Sequence, residues 1–245
     1  MACTVTLLAH TPDPDALVAA AARLCYRDTA AADLLKGEEE KLSRGLIAHL
    51  WTSGHLSTFE HVSFTFGVDG LSRVASHQLV RHRMASFSQQ SQRYVKMDGG
   101  EDVVVPPSVA AVPEAADIFR RQAQAAHAVY QALTAMGVPA EDARFILPHG
   151  WETRLVLTMN ARELHHFFRL RLCRRAQWEI RGLARLMLAE CRRVAPVLFE
   201  KAGPSCIFGP AAGTGPRLCG EARPCGRPYR DMEDLLAGEE AGPAS

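Results

Sequence analysis

RHRMASFSQQSQRY, residues 81–94, packs three arginines, a histidine, three serines, three glutamines and a tyrosine into fourteen positions, with Met84, Ala85 and Phe87 as its apolar members. A segment so rich in donors can be buried only where acceptors meet it, and it would be a wasteful surface loop; it is read as facing a ligand. Its flanks place it in the fold. LSRVASHQLVRHR (71–83) carries Leu71, Val74, Ala75, Gln78 and Leu79 on one helical face, so Arg81 to Arg83 fall at a helix C-terminus, where cations are favoured. From there the segment is expected to continue as a loop. Upstream, HVSFTFGV alternates Val62, Phe64, Phe66 and Val68, the period of a half-buried strand.

Farther out, VTLLAH near the start reads as a strand. DPDALVAAAARLCYRD opens with Asp13 before Pro14, a cap and first-turn pair for a helix ending near Tyr26. LIAHLWTSGH closes an amphipathic helix at Gly54. Downstream, DVVVPP (102–107) predicts a short strand, and PEAADIFRRQAQAAHAVYQALTAMG the longest uninterrupted helix, stopped by Gly137. RLVLTMN is strand-like, and Asn160 caps the helix ARELHHFFRLRL. AQWEIRGLARLMLAECRRVAPVLFEKAG continues helical with a break near Pro196. Few strands separated by helices indicate α+β, one domain over 1–203 with a small mixed or antiparallel sheet packed by long helices, then an irregular Gly/Pro/Cys-containing tail over 204–245.

Composition sets outer bounds. A chain of 245 residues with 47% hydrophobic residues can bury a large core. Its 28 Lys+Arg against 27 Asp+Glu leave no global field to recruit nucleic acid or an anionic membrane, so any anion must meet a local cluster. The N-terminus has no signal-peptide pattern and no run of about 18 apolar residues occurs, so the expectation is a soluble cytoplasmic protein. Seven scattered cysteines suit reduced thiols.

No GxxxxGK[ST], HExxH or GxSxG is present. A bound nucleotide must then be gripped by side chains, above all by arginine, whose fork matches phosphate. Such groups concentrate at element ends in HLSTFEH (55–61), in the opening segment, at Arg144 in ARFILP, and in NARELHHFFRLR (160–171). Arg81, His82 and Arg83, then seven residues, then Ser91 with Gln92, Arg93 and Tyr94, resemble the signature of the flavin-dependent thymidylate synthases. HLSTFEH, ARFILP, NAR and the following LR and AQWEI resemble that family's other segments in the right order, over residues from about 55 to 182.

The resemblance implies a homotetramer with FAD at subunit interfaces, converting dUMP, methylenetetrahydrofolate and NADPH to dTMP. Carried over by position, Ser57, Arg81, His82, Arg83, Gln89, Asn160, Ala161, Arg162 and His166 would line FAD. Gln78, Arg81, Gln89, Ser91, Gln92, Arg93, Arg144 and Arg171 would hold dUMP, with Leu79, Val80 and Gln90 contributing mostly backbone. Arg171 and Ser91 would act closest to the chemistry, Ser91 by positioning. Gln89, His166 and Arg175 stand where several members carry Glu, Asn and His, which alters single contacts. The chemistry agrees: methylating uracil at C5 commonly uses an enzyme thiolate, and no cysteine lies among these pyrimidine contacts, so another source of reducing power and activation is needed, and a reduced flavin can deliver hydride.

Plainer readings stand beside these. Arg81 and Arg83 could pair with carboxylates on a neighbouring helix, Ser91 could be a turn residue, Arg171 could bridge to Glu163 or Glu179, and His165 reads as core edge. Cys206, Cys219 and Cys225 could be three ligands of a structural zinc, but they lack a CxxC pair, and no metal site is expected. Two alternative functions are a nucleic-acid-binding module, supported by RHR, RLRLCRR and CRR but opposed by the balanced charge, and a flavoprotein oxidoreductase acting on another substrate.

Overall fold

The alternation around Phe64 and Phe66 builds the central strand of the sheet. The computed structural model describes residues 3–28, 30–33, 35, 40–97, 103–209 and 219–238. Strand β1 (Thr4–His10) pairs with β2 (Ser63–Ser72), β2 with β4 (Glu152–Asn160), and β4 with β3 (Ala85–Gln89), every pair antiparallel, giving the order β1-β2-β4-β3. Phe64, Phe66 and Val68 of β2 and Leu155, Leu157 and Met159 of β4 point to one face and are buried. Each such side chain contributes roughly 1.5–3 kcal/mol by leaving water.

Helices cover that face. They are α1 (Pro14–Leu24), α2 (Glu40–Ser53), α3 (Arg73–Leu79), α4 (Pro107–Ala110), α5 (Pro113–Ala135), α6 (Ala140–Ala143), α7 (Ala161–Arg171), α8 (Trp178–Val194), α9 (Ser205–Phe208) and α10 (Met232–Ala237). α8 buries Ile180, Leu183, Ala184, Met187, Leu188 and Cys191, an apolar stripe at helical spacing, and joins the sheet and α7 in one core. A second cluster, Tyr130 with Trp151, Ala143, Leu147 and Met97, holds α5 against the turn before β4. Among the described residues no helix is long and apolar enough to cross a membrane.

Five local expectations are corrected. The opening segment does not stay a loop: residues 85–89 form β3, paired with β4 from Ala85↔Met159 to Gln89↔Leu155. DVVVPP does not form a strand; Val103 makes an isolated bridge to Trp151, and Asp102 lies outside the described residues. Asp13 is not a side-chain cap. Its backbone is left-handed (φ 43) and its carbonyl accepts from Leu17, while Asp15 takes the N–H groups of Val197 and Leu198 at 3.1 and 2.8 Å. The tail, where described, holds α9 and α10, and Tyr229 and Leu235 join the main core. Val74, placed with the apolar face of α3, is exposed, whereas Leu71, Ala75 and Leu79 are buried.

Candidate functional site

Asn160 ends β4 and starts α7. Its Oδ1 accepts from the Glu163 N–H at 2.9 Å, satisfying one of the free donors of the first turn. The Glu163 carboxylate is thereby set where its Oε1 meets His82 Nδ1 at 2.9 Å. Arg171, at the far end of the same helix, donates from Nε to His82 Nε2 at 3.0 Å and from Nη2 to the Gln78 carbonyl at 3.3 Å. Because guanidinium only donates, His82 Nε2 carries the lone pair and Nδ1 the proton, which goes to Glu163. Burial holds His82 below the ordinary histidine range; the Glu163 hydrogen bond opposes this and the Arg171 charge adds to it. The relay Glu163–His82–Arg171 welds the RHR segment to α7, and Arg171 pairs with neither Glu163 nor Glu179 there.

A second cluster lies where β3 ends. Ser91 opens a turn, its Oγ accepting from the Arg93 N–H at 3.2 Å and its carbonyl from Val95 at 3.0 Å. Arg93 Nε donates to Glu141 at 2.8 Å, and Arg144 Nε to the Glu141 carbonyl at 3.0 Å, so both fork over α6. Arg73 approaches from α3 and donates to the Gln90 carbonyl at 3.3 Å, yet its Nε is buried without a hydrogen-bond partner. Burial, then the neighbouring Arg144 charge, lowers the Arg73 pKa. An anion between Arg73 and Arg144 would relieve both costs. Gln89 joins the clusters, donating from Nε2 to Ser76 and Thr153, both at 3.1 Å.

On the other side of α7 a cleft of about 840 Å³ is lined by Arg162, His166, Arg169 and Lys201, with Trp51, Leu56 and the backbone-rich run at Gly203, Ser205 and Gly209. Its charged lining is basic, and its volume is that of a ligand site. His165 forms part of its wall, stacked on Phe199 (5.2 Å) and tilted against Trp51 (4.4 Å). Its Nε2 bonds the Leu198 carbonyl at 3.0 Å and its Nδ1 is buried without a partner, while burial lowers its pKa to about 4. A flavin dinucleotide suits this donor set: apolar and aromatic walls for a ring, and the cations Arg162, Arg169 and Lys201 for a diphosphate.

The remaining expected residues are distributed around these features. His82 and His166 are ring neighbours at 5.9 Å, joining the relay to the cleft. Arg162 pairs with Glu60, and Ser57 is exposed in the intervening 3-10 turn Leu56–His61. Arg81 and Arg83 are exposed, Val80 is exposed, and Leu79 and Ala161 are fully buried in the core. The Gln90 N–H is already given to the Arg154 carbonyl, so its side chain is the part left for a ligand. Gln92 is half-buried beside Ser91. Arg73, Glu163 and Glu179 were not singled out in the sequence as site-building residues. The Glu179 carboxylate takes the Ser72 N–H at 2.6 Å and the Ser72 hydroxyl at 2.5 Å, anchoring the start of α3. Arg73 did leave a signal, a cation in the first turn of a helix against the dipole.

A relay of fixed tautomer beside an incompletely matched arginine pair, with a basic cleft behind the shared helix, is the construction of an enzyme that grips nucleotides by side chains. The family model described as "Thymidylate synthase complementing protein" matches residues 6–197. The flavin-dependent thymidylate synthase of Geobacter sulfurreducens is 52% identical over 233 residues, covering 93% of this chain and 98% of that protein. That of Clostridium tetani is 42% identical over 238 residues, covering 91% and 95%. A solved structure of the UMP/dUMP methylase PolB from Streptomyces cacaoi, bound with 5-Br dUMP, superposes with a TM-score of 0.71 at 30% identity, covering 81% of this chain and 93% of that one. The chain belongs to the flavin-dependent thymidylate synthase family.

Proposed function

We propose that this protein methylates dUMP to dTMP reductively, with FAD as its flavin, methylenetetrahydrofolate as carbon donor and NADPH as reductant, and that it works as a homotetramer. The observation that carries the reading is the pairing of two differently prepared arginine sites on either end of α3. Arg73, Arg93 and Arg144 bind the nucleotide phosphate, whose charge the buried Arg73 Nε lacks. Gln78, Gln89, Gln90 and Gln92 border the base with Ser91, whose hydroxyl proton is free to donate while its oxygen holds the turn.

Arg171 faces the edge of the uracil, where negative charge grows on N3 and the carbonyl oxygens as C5 and C6 react, and a guanidinium already fixed by His82 stabilises that charge without reorganising. Arg162, His166 and Arg169, with Ser57, Arg81, Arg83 and the free amide of Asn160, hold the flavin. Bound there in its reduced state it supplies hydride, which the protein's own groups do not carry. Burial raises the pKa of Cys173, Cys191 and Cys206, and of Cys3 to about 12, which disfavours the thiolate at these four positions.

The deciding experiment incubates the purified full chain, reconstituted with FAD, with dUMP, methylenetetrahydrofolate and NADPH. The expected product is dTMP, dependent on all three. NADPH oxidation without dTMP would replace this reading with another flavin-dependent oxidoreduction.

A further inference from the structure

The head of Arg73 is held by little: one hydrogen bond from Nη2 to the Gln90 carbonyl at 3.3 Å, and a buried Nε without a partner. Its root is held firmly. Arg73 opens α3, a helix of seven residues, and each backbone N–H from Ser72 to Ala75 has an acceptor. That of Ser72 donates to Glu179 Oε1 at 2.6 Å, those of Arg73 and Val74 to the Trp151 and His149 carbonyls at 3.1 Å, and that of Ala75 to Ser72 Oγ at 3.1 Å. The Ser72 hydroxyl gives its own proton to Glu179 Oε2 at 2.5 Å. A guanidinium with so few contacts at its tip takes its direction from its backbone, and that backbone starts at the Ser72–Glu179 pair.

Granted the phosphate-binding role proposed above for Arg73, on which this rests, we infer that Glu179 is a positioning residue that aims Arg73 and thereby sets the enzyme's preference for a nucleotide over a nucleoside. Glu179 is 5% exposed and Ser72 2%, so the pair closes out of water. The carboxylate itself is immobile: Gln177 Oε1 accepts the N–H groups of Glu179 and Ile180 at 3.1 and 3.0 Å, and Ile180 and Leu183 anchor that turn of α8 in the core. Among the described residues it pairs with no cation; its hydrogen-bond partners are the two donors of Ser72. A charge buried on neutral donors costs desolvation that an apolar side chain would avoid, so its worth lies in what it fixes. What it fixes is the phosphate end of the site and not the base end. Gln89 takes its orientation from Ser76 and from Thr153 on β4, and Arg171 from His82 and the Gln78 carbonyl. Glutamine at 179 offers one acceptor where the carboxylate offers two, so either the N–H or the hydroxyl of Ser72 loses its partner.

The test is calorimetric binding of dUMP and of deoxyuridine to the full chain reconstituted with FAD. Glu179→Gln is expected to weaken dUMP binding about three- to tenfold and to leave deoxyuridine within about twofold of wild type. In an Arg73→Met background the same change should add less than about twofold, because the group it aims is gone. Ser72→Ala, which keeps the backbone N–H and removes the hydroxyl, should show the same selective loss, while Ser72→Thr should stay within about twofold of wild type. Should Glu179→Gln yield no soluble protein, Ser72→Ala carries the same comparison. Unchanged dUMP binding, equal losses for dUMP and deoxyuridine, or a full loss persisting in the Arg73→Met background would overturn the assignment. The two readings fail separately. If Arg73→Met itself does not distinguish nucleotide from nucleoside, the phosphate role of Arg73 falls and the positioning role with it; if it does and Glu179→Gln does not, only the positioning role falls.

Discussion

Arg171 and Arg73 are both half-buried, and both have their pKa lowered by burial, yet their surroundings are opposites. Arg171 is met by a neutral imidazole and a carbonyl, and the imidazole is in turn held by a carboxylate. Arg73 has one long bond to a carbonyl, a second arginine nearby, and a buried Nε with nothing to bond. The first arrangement fixes a charge in place before a ligand arrives. The second stores an unmet demand for an anion. In the proposed function orientation and affinity therefore fall to different arginines, and the contrast can be broken experimentally.

The largest effect is expected at the prepared charge. Arg171→Ala should cost about 3–4 kcal/mol of transition-state stabilisation, a hundred- to thousand-fold in single-turnover conversion of dUMP, with flavin content near wild type. A change below about fivefold would make Arg171 a structural ion-holder only. Next in size, Arg73→Met should weaken dUMP binding roughly ten- to hundred-fold, the loss of one charge-assisted contact, and leave deoxyuridine binding nearly unchanged. Equal losses for nucleotide and nucleoside would remove Arg73 from the phosphate.

A pH profile separates the two regions further. His82 is held below the ordinary 6.5, so the unfolded chain binds more protons between that value and the folded one. The stability it contributes is complete above about pH 6.5 and is lost as pH falls through the folded value; His165, lowered to about 4, acts in the same direction. Protonating Nε2 also expels the Arg171 donor, so turnover should fall in acid with the same group. Glu163→Gln removes the contact that raises the His82 pKa and should move the acid limb of turnover to lower pH. A limb that stays in place would detach His82 from the relay. The smallest effect is expected at Ser91→Ala, a loss of under about tenfold in dUMP binding with measurable turnover. Normal binding with no dTMP at all would make Ser91 a chemical participant.

The parts of this architecture legible in the sequence were those with a strong apolar period: Phe64 and Phe66 on β2, the stripe of α8, the cap at Asn160. β3 was not, because its inward positions, Ala85, Phe87 and Gln89, hold a single large apolar residue; backbone pairing with β4 makes it a strand. The motif residues were legible as a set, but their division into a relay and an anion patch was not, since it depends on contacts such as Arg171 to His82 across 89 positions. Gln90, expected to contribute mostly backbone, has its N–H and carbonyl already engaged by Arg154 and Arg73, and Arg73 itself was hidden inside a helix whose apolar face drew the attention.

The latch between Ser72 and Glu179 spans 107 residues. Its closing is therefore a late event on the ribosome: the chain that carries His82 and Ser91 is made well before the carboxylate that fixes the start of α3. Until α8 has been synthesised and packed, the Ser72 N–H and hydroxyl lack this carboxylate, although the Arg73 and Val74 N–H groups bond the Trp151 and His149 carbonyls, and loop closure over so long a separation is slow compared with local helix formation. The start of α3, and with it Arg73, is thus fixed by a carboxylate from the last third of the chain.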